Sequence, residues 1–426
     1  MRNRRNKRSN KFSIIHLKNI SRFLGILLII FTLIFIISII QKTNIKNSNN
    51  VHQISDMNSS SDNINIYSNS DSENSNIENV DVETNEDITI KMAFTGDIMC
   101  HNTMYKDAYD SSTGTYDFSH FFENVKYYLQ TADITVGNLE TTFAWSSVGY
   151  SSYPTFNTPE ILAKNLKKTG FDVLSTANNH CMDKGYKGLE STIAYLDEAD
   201  IAHTGTYTSE ESQKTILIKN VKGIKIAFIS FTYGTNGISV PSDKKYSVNF
   251  LDEETMNSQI NLAKSENPDI ICALVHWGNE YQTNPNSNQK QISEYLINNG
   301  VNLIIGNHPH VPQPMVLTKN SSNEDVFIAY SLGNFMADQN KKYTRDSLIL
   351  NLSITKDSSD NIIINNYDYV PIYIYKNTSL TTKKFSILDI NSVIESYDAG
   401  YDTSIGSSMY NKLKTELQNI KNIVGK

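Results

Sequence analysis

Apolar positions fall along this chain in three regimes. From Phe23 to Ile40 they run on without a single charge, from Gln41 to Asp87 they thin out, and from Ile88 to about Tyr375 they recur in short blocks. The blocks at 88–95, 132–137, 171–176, 214–219, 224–231, 269–275, 301–305, 325–331, 346–354 and 362–374 are rich in Ile, Val, Phe and Tyr. Gly, Asn, Asp or Pro bounds them, which is the pattern of β-strands. Amphipathic spacing predicts helices over 119–130, 186–199, 252–266 and 287–299. A further helix is opened by Thr158-Pro159-Glu160 and stopped by Gly170. Helices alternating with strands over the first two thirds predict a largely parallel sheet, and the later strands, without helices between them, an antiparallel portion. A layered α/β sandwich over 88–375 accommodates both, and 376–426 reads as a partly helical C-terminal appendage.

Charge gives the first two regimes a meaning. Residues 1–22 carry eight Lys and Arg and no acid, and an uncharged run of about 18 residues follows, long enough to cross a bilayer as a helix. Basic residues on its amino side predict a single-pass anchor over 23–40, with the N-terminal tail cytoplasmic and the main domain extracytoplasmic. A cleaved signal peptide would have a shorter apolar run and a small-residue cleavage site, and none follows Ile40. Residues 41–87, dominated by Asn, Ser, Asp and Glu with Tyr67 the sole aromatic, cannot bury enough apolar surface to order themselves and are expected to form a disordered linker. The overall formal charge is −7. Setting aside the eight cations of the tail leaves −15 on the rest, which argues against nucleic acid as a partner. Cys100, Cys181 and Cys272 are too few and too scattered for a disulfide framework, and read as small buried residues.

The candidate chemistry sits immediately after the apolar blocks. Gly96-Asp97, Gly137-Asn138-Leu139-Glu140, Asn178-Asn179-His180, His276-Trp277-Gly278 and Gly306-Asn307-His308-Pro309-His310 each close a predicted strand. In α/β sheets the carboxyl ends of neighbouring strands open onto one crevice, so residues far apart in sequence meet there. Carboxylates, amide oxygens and imidazoles gathered in that way suit divalent cations. The Asp97 and Glu140 carboxylates are candidate ligands, and the second can bridge two ions. Asn179 offers a neutral oxygen, and His180 a proton donor. His308 and His310, two apart in an extended segment, face opposite sides and address two ions. Each has an ordinary alternative, a turn aspartate, a surface glutamate or an Asn-rich loop, and only the series carries weight. Tyr330-Ser331-Leu332-Gly333-Asn334-Phe335 closes another strand as a wall element. No nucleophile elbow or phosphate-binding glycine loop is present.

In this order the motifs resemble the CapA family of poly-γ-glutamate capsule-synthesis proteins, a branch of the calcineurin-like metallophosphoesterase fold. The resemblance covers about 90–340. It implies a four-layer α/β/β/α sandwich, and a membrane-attached role with polyglutamate and membrane synthase subunits as partners. It implies Mn, Fe or Zn as cofactor. Asp97 and His310 would serve the first metal, Glu140 would bridge, Asn179, His276 and His308 would complete the second, and His180 would be the acid. Catalytic roles would fall to His180 and Asp97. Where phosphoesterases carry Asp-x-His, this chain has Asp97-Ile98-Met99, so the first site is one ligand short. One tight cation is expected, and Met99→His is expected to strengthen the weak site. Three functions follow as rivals: a component of capsule assembly, a metal-dependent hydrolase of a phosphoester or amide-linked surface polymer, and a structural ectodomain without chemistry.

Overall fold

The computed structural model describes residues 86–401 and 405–425. The expected tail, anchor and nearly all of the linker lie outside them, and among the described residues no helix is long and apolar enough to cross a membrane.

In chain order the strands are β1 (Ile88–Ile98), a small hairpin of β2 (Tyr109–Asp110) and β3 (Thr115–Tyr116), β4 (Ile134–Leu139), β5 (Val173–Ser175), β6 (Ala202–Thr204), β7 (Leu217–Val221) and β8 (Ile224–Thr232). There follow β9 (Ile270–His276), β10 (Leu303–Asn307), β11 (Met315–Lys319), β12 (Asp325–Ala329), β13 (Asn334–Met336), β14 (Asp346–Lys356), β15 (Ile362–Lys376) and β16 (Phe385–Asp389). One sheet runs β16-β15-β14-β1-β4-β5-β6, with β13 beside the end of β1, and the other β11-β12-β10-β9-β8-β7. Strands β1, β4, β5 and β6 are mutually parallel, as are β8, β9, β10 and β12. The antiparallel portion lies at the margins, in β14 to β16 of the first sheet and β7 and β11 of the second.

Alternation along the strands sets the layers. In β1, Ile90, Met92 and Phe94 enter a core that also holds Ile226 and Phe228 of β8 and Cys272 and Leu274 of β9, so the two sheets face one another. The intervening residues turn outward. Ala93 and Leu174 pack under Leu162 and Leu166 of helix Ile161–Thr169, and Ile229, Ala273 and Ile304 under helices Glu253–Ser265 and Ser287–Asn298. The layer order is therefore α/β/β/α. Strands buried on both faces read as unbroken apolar runs rather than alternating ones, and each fully buried Ile, Leu or Phe contributes roughly 1.5–3 kcal/mol. The outer helices begin on side-chain caps: Asp252 accepts from the backbone N of Thr255, and Asn286 forms a reciprocal capping box with Gln289.

The C-terminal segment is integral rather than appended. Strand β15 runs through the expected boundary at 375, and β16 pairs with it. Leu413, Ile420 and Val424 of helix Ser407–Val424 are buried in the same core as the facing sheets. That helix packs against β14 and β15 of sheet one.

Candidate metal centre

Parallel pairing carries the predicted tips to one edge of the sandwich. Asp97 lies opposite Asn138 of β4 and Asn334 of β13, at a register shift in β1. Gly96 makes that bulge possible, because a Cβ there would lie 1.8 Å from the carbonyl oxygen of Gly333. The Asp97 amide donates to that same oxygen at 2.9 Å, so the Gly333 segment is the backbone floor under Asp97. Gly306 plays the same part in sheet two: a Cβ would meet the Tyr330 carbonyl at 2.1 Å, and Trp277 Nε1 donates to that carbonyl at 2.9 Å.

The six proposed ligands and His180 are all buried. Asp97 accepts from Asn138 Nδ2 at 2.8 Å, His310 Nδ1 at 2.9 Å and the backbone N of His308 at 3.3 Å. Burial alone would raise its pKa, but the His310 hydrogen bond and charge, with help from His276 and Asn138, hold it below the usual carboxylate value. His310 is correspondingly pushed up to about 9, because Glu140 and Asp97 outweigh its burial. His276 Nε2 donates to Asn179 Oδ1 at 2.7 Å, and burial takes its pKa down to about 3. Burial likewise depresses His308, whose ring stands 4.8 Å from that of His276 and 4.5 Å from that of Tyr233, with Nδ1 unpartnered.

Glu140 is the anomaly. It is fully buried, neither carboxylate oxygen has a hydrogen-bond partner, and the nearest imidazole nitrogens are His276 Nε2 at 3.5 Å and His310 Nε2 at 3.9 Å. Burial and the neighbouring Asp97 charge drive its pKa well up. A buried acid is ordinarily paired or bound to metal. Ligand atoms of Glu140, His308 and His310 lie within 4.8 Å of one another, and so do those of Asp97, Glu140 and His276. Glu140 belongs to both groups, as a bridging carboxylate should, and the donor set of hard oxygen and imidazole fits a divalent cation. Direct contacts keep the expected partners together, Asp97 with His310 at 2.9 Å and the rings of His276 and His308 4.8 Å apart.

Part of the backbone strain lies here. His308 (φ 99°), His310 (φ 59°) and Tyr281 (φ 66°) all hold left-handed φ angles, each at a cost of about 1–3 kcal/mol. Tyr281 is tied down by its amide, which donates to the Pro309 carbonyl at 2.7 Å.

Several contributors escape sequence reasoning. Asp183 accepts from His180 Nδ1 at 2.7 Å and from the backbone N of Phe156 at 2.6 Å. Burial opposes protonation of His180, but the Asp183 hydrogen bond and Glu140 prevail and raise its pKa. The i, i+3 spacing of His180 and Asp183 was the available signal, whereas nothing marked Phe156, whose ring meets that of His180 edge-on at 4.7 Å. Met99 packs with Phe156, Ala337 and Ile374 in an apolar cluster and also borders the cavity beside the centre, together with His180 and His310. All three cysteines are buried and free, with thiol pKa values raised by burial, and none joins a ligand group. A cavity of about 290 Å³ opens beside the centre, bordered by His101, Tyr153, His180, Tyr281, His310 and Lys341. A second of about 380 Å³ adjoins it past Asn179, Asn236 and Glu280. A larger hollow of about 690 Å³ near Tyr207 holds none of the ligands.

Fold and site together define a two-sheet α/β protein that presents a carboxylate–histidine cation centre at its strand ends. The chain belongs to the bacterial capsule synthesis protein family PGA_cap, whose profile matches residues 91–339. The capsule biosynthesis protein CapA of Bacillus anthracis is 29% identical over 355 residues, 81% of this chain and 82% of the relative. The PGA biosynthesis protein CapA of Bacillus subtilis (strain 168) is 28% identical over 310 residues, 72% and 77% of the two chains. Among solved structures, the calcineurin-like phosphoesterase YfkN from Bacillus subtilis shares 16% identity over 80% of this chain and 100% of its own, with a TM-score of 0.39.

Proposed function

We propose that this chain is a membrane-anchored, extracytoplasmic component of poly-γ-glutamate capsule synthesis whose strand-end centre holds Mn, Fe or Zn. The observation that carries the reading is Glu140, a fully buried acid with two unpartnered oxygens, set among four histidines in a chain of the PGA_cap family. Asp97, Glu140, Asn179, His276, His308 and His310 would hold the ions, one of them tightly. A cation in that position supplies positive charge that polarises a phosphoryl or carbonyl oxygen. The test is to delete the gene and restore it as wild type or as Glu140→Gln, measuring cell-bound γ-glutamyl polymer after acid hydrolysis. Loss of polymer on deletion, repaired by wild type but not by the variant, supports the reading. Unchanged polymer on deletion refutes the capsule role, and equal repair by both refutes a role for the centre.

A second reading, hydrolysis of a phosphoester or of an amide-linked surface polymer, is favoured by the His180–Asp183 pair. Burial opposes protonation there, but the Asp183 carboxylate and Glu140 raise the pKa of the imidazole at the cavity wall, where a general acid would serve a leaving group. Turnover of an aryl phosphate or of polyglutamate that disappears in His180→Gln distinguishes this reading from a purely assembling role.

A further inference from the structure

Phe156 carries two imidazoles, and only one of them belongs to the centre described above. His180 meets its ring edge-on at 4.7 Å, and His101 does so at 5.4 Å with an interplanar angle of 82°. Both border the cavity of about 290 Å³ together with His310. Their anchors are opposite in kind. His180 Nδ1 faces the Asp183 carboxylate, an acceptor, whereas His101 Nδ1 faces the backbone N–H of Asp338 at 3.1 Å, a donor. An imidazole nitrogen that accepts a hydrogen bond carries no proton, so His101 is held neutral with its one N–H on Nε2. Among the described residues no group takes that N–H, and it is the ring edge left for a ligand. The anchor itself is rigid: the Asp338 carboxylate accepts from Thr103 Oγ1 at 2.5 Å and from Arg345 Nη2 and Lys376 Nζ at 2.6 Å each. The wall thus offers a fixed donor at His101, the His180 imidazole and the exposed Lys341 at the lip, against one acid, Glu280, on its rim.

We propose that His101 is a substrate-binding donor of this site, giving its Nε2–H to an oxygen of an oxyanion, a phosphate or a carboxylate, that enters the cavity beside the cation centre. It is not a replacement for the ligand missing at Met99. The assignment rests on the cation-centre reading and adds to it a residue that recognises the ligand without touching the metal.

The experiment uses the full-length chain in detergent, loaded with Mn, as wild type, His101→Phe and His101→Gln. Metal content is read by elemental analysis, and inorganic phosphate and γ-linked tetraglutamate are titrated calorimetrically. The expected result is unchanged metal in all three, with affinity for the bound probe about 10- to 100-fold weaker in the Phe variant, the worth of one hydrogen bond to a charged acceptor. The Gln variant, which keeps a donor, should stay within about 3-fold of wild type on the same grounds. Loss of metal from His101→Phe would make His101 a ligand and overturn the proposal, as would unchanged affinity in that variant or equal weakening in both. Binding of phosphate but not tetraglutamate sinks the polymer reading and leaves His101 to be judged on phosphate. A wild type that holds Mn but binds neither probe overturns the assignment of His101 alone. A wild type that holds no Mn and binds neither overturns both. Independently, the ¹⁵N spectrum of histidine-labelled protein should show His101 as the Nε2–H tautomer, and a protonated Nδ1 refutes the geometry.

Discussion

Glu140→Gln should have opposite effects with and without metal, and the sign depends on pH. In metal-free protein the Glu140 carboxyl is fully buried without a hydrogen-bond partner, beside Asp97. Its folded pKa lies well above the ordinary glutamate value of 4.5, driven up by burial and by Asp97, so the folded state binds the proton more tightly than the unfolded chain. The stabilisation is complete below about pH 4.5 and is lost progressively as pH rises from there towards the folded value. Glutamine has the same shape and does not titrate. The variant should therefore match wild type near pH 4.5 and exceed it at pH 6.5, by about 1–3 kcal/mol, the usual cost of an unsatisfied buried group. The described residues are 86–401 and 405–425. At about 2.1 cal/mol/K per residue for the unfolding entropy, 1 kcal/mol moves Tm by roughly 1.4 °C at this size, so the gain is about 1.5–4 °C. Above pH 6.5 the raised pKa of His310 begins to contribute its own loss of stability up to about pH 9, so the comparison belongs between 4.5 and 6.5. The assay is scanning fluorimetry in EDTA across that window, repeated with Mn. With Mn the order should invert, because the variant lacks the shared carboxylate and binds metal at least 10- to 100-fold more weakly. A variant less stable than wild type at pH 6.5 in EDTA would show that Glu140 is satisfied without metal, and the argument for a cation centre would fail.

Three further outcomes are expected. Elemental analysis should find about one tightly held cation in wild type and none in His308→Ala, whereas Met99→His, which places an imidazole at the cavity wall that His310 also borders, should hold a second cation more tightly than wild type. Gly96→Ala should fail to yield folded protein by circular dichroism, since the added carbon overlaps the Gly333 carbonyl at 1.8 Å; a folded variant with unchanged Tm would refute the close approach. If 23–40 is the anchor, external protease should shave the domain from intact protoplasts, and protection would reverse the proposed orientation.

How much of this was legible in sequence follows from what a side-chain pattern encodes. Long strands buried on both faces show as continuous apolar blocks, so β1, β8, β9, β10 and β14 stand out with the polar tips that follow them. The short strands Ala202–Thr204 and Asn334–Met336 leave too few residues for any period to register, and Met315–Lys319 buries only its first residue. Parallel and antiparallel character was readable from the helices between strands. The division of those strands between two sheets was not, because a buried position announces that it is inside without saying what lies opposite. The same limit applies at the site. Asp97, Glu140, Asn179 and the histidines were nameable as ligand types at strand ends. That Met99 and His101 border the same cavity, or that Asp183 holds His180, depends on the path of loops from separate strands. Asp97 and His310 stand 213 positions apart and meet at 2.9 Å. The chain by itself determined which chemistry was available, through the residue types closing each strand, and only the tertiary structure decided which of those residues share a centre, because strand order and sheet-on-sheet packing are non-local choices that no local pattern records.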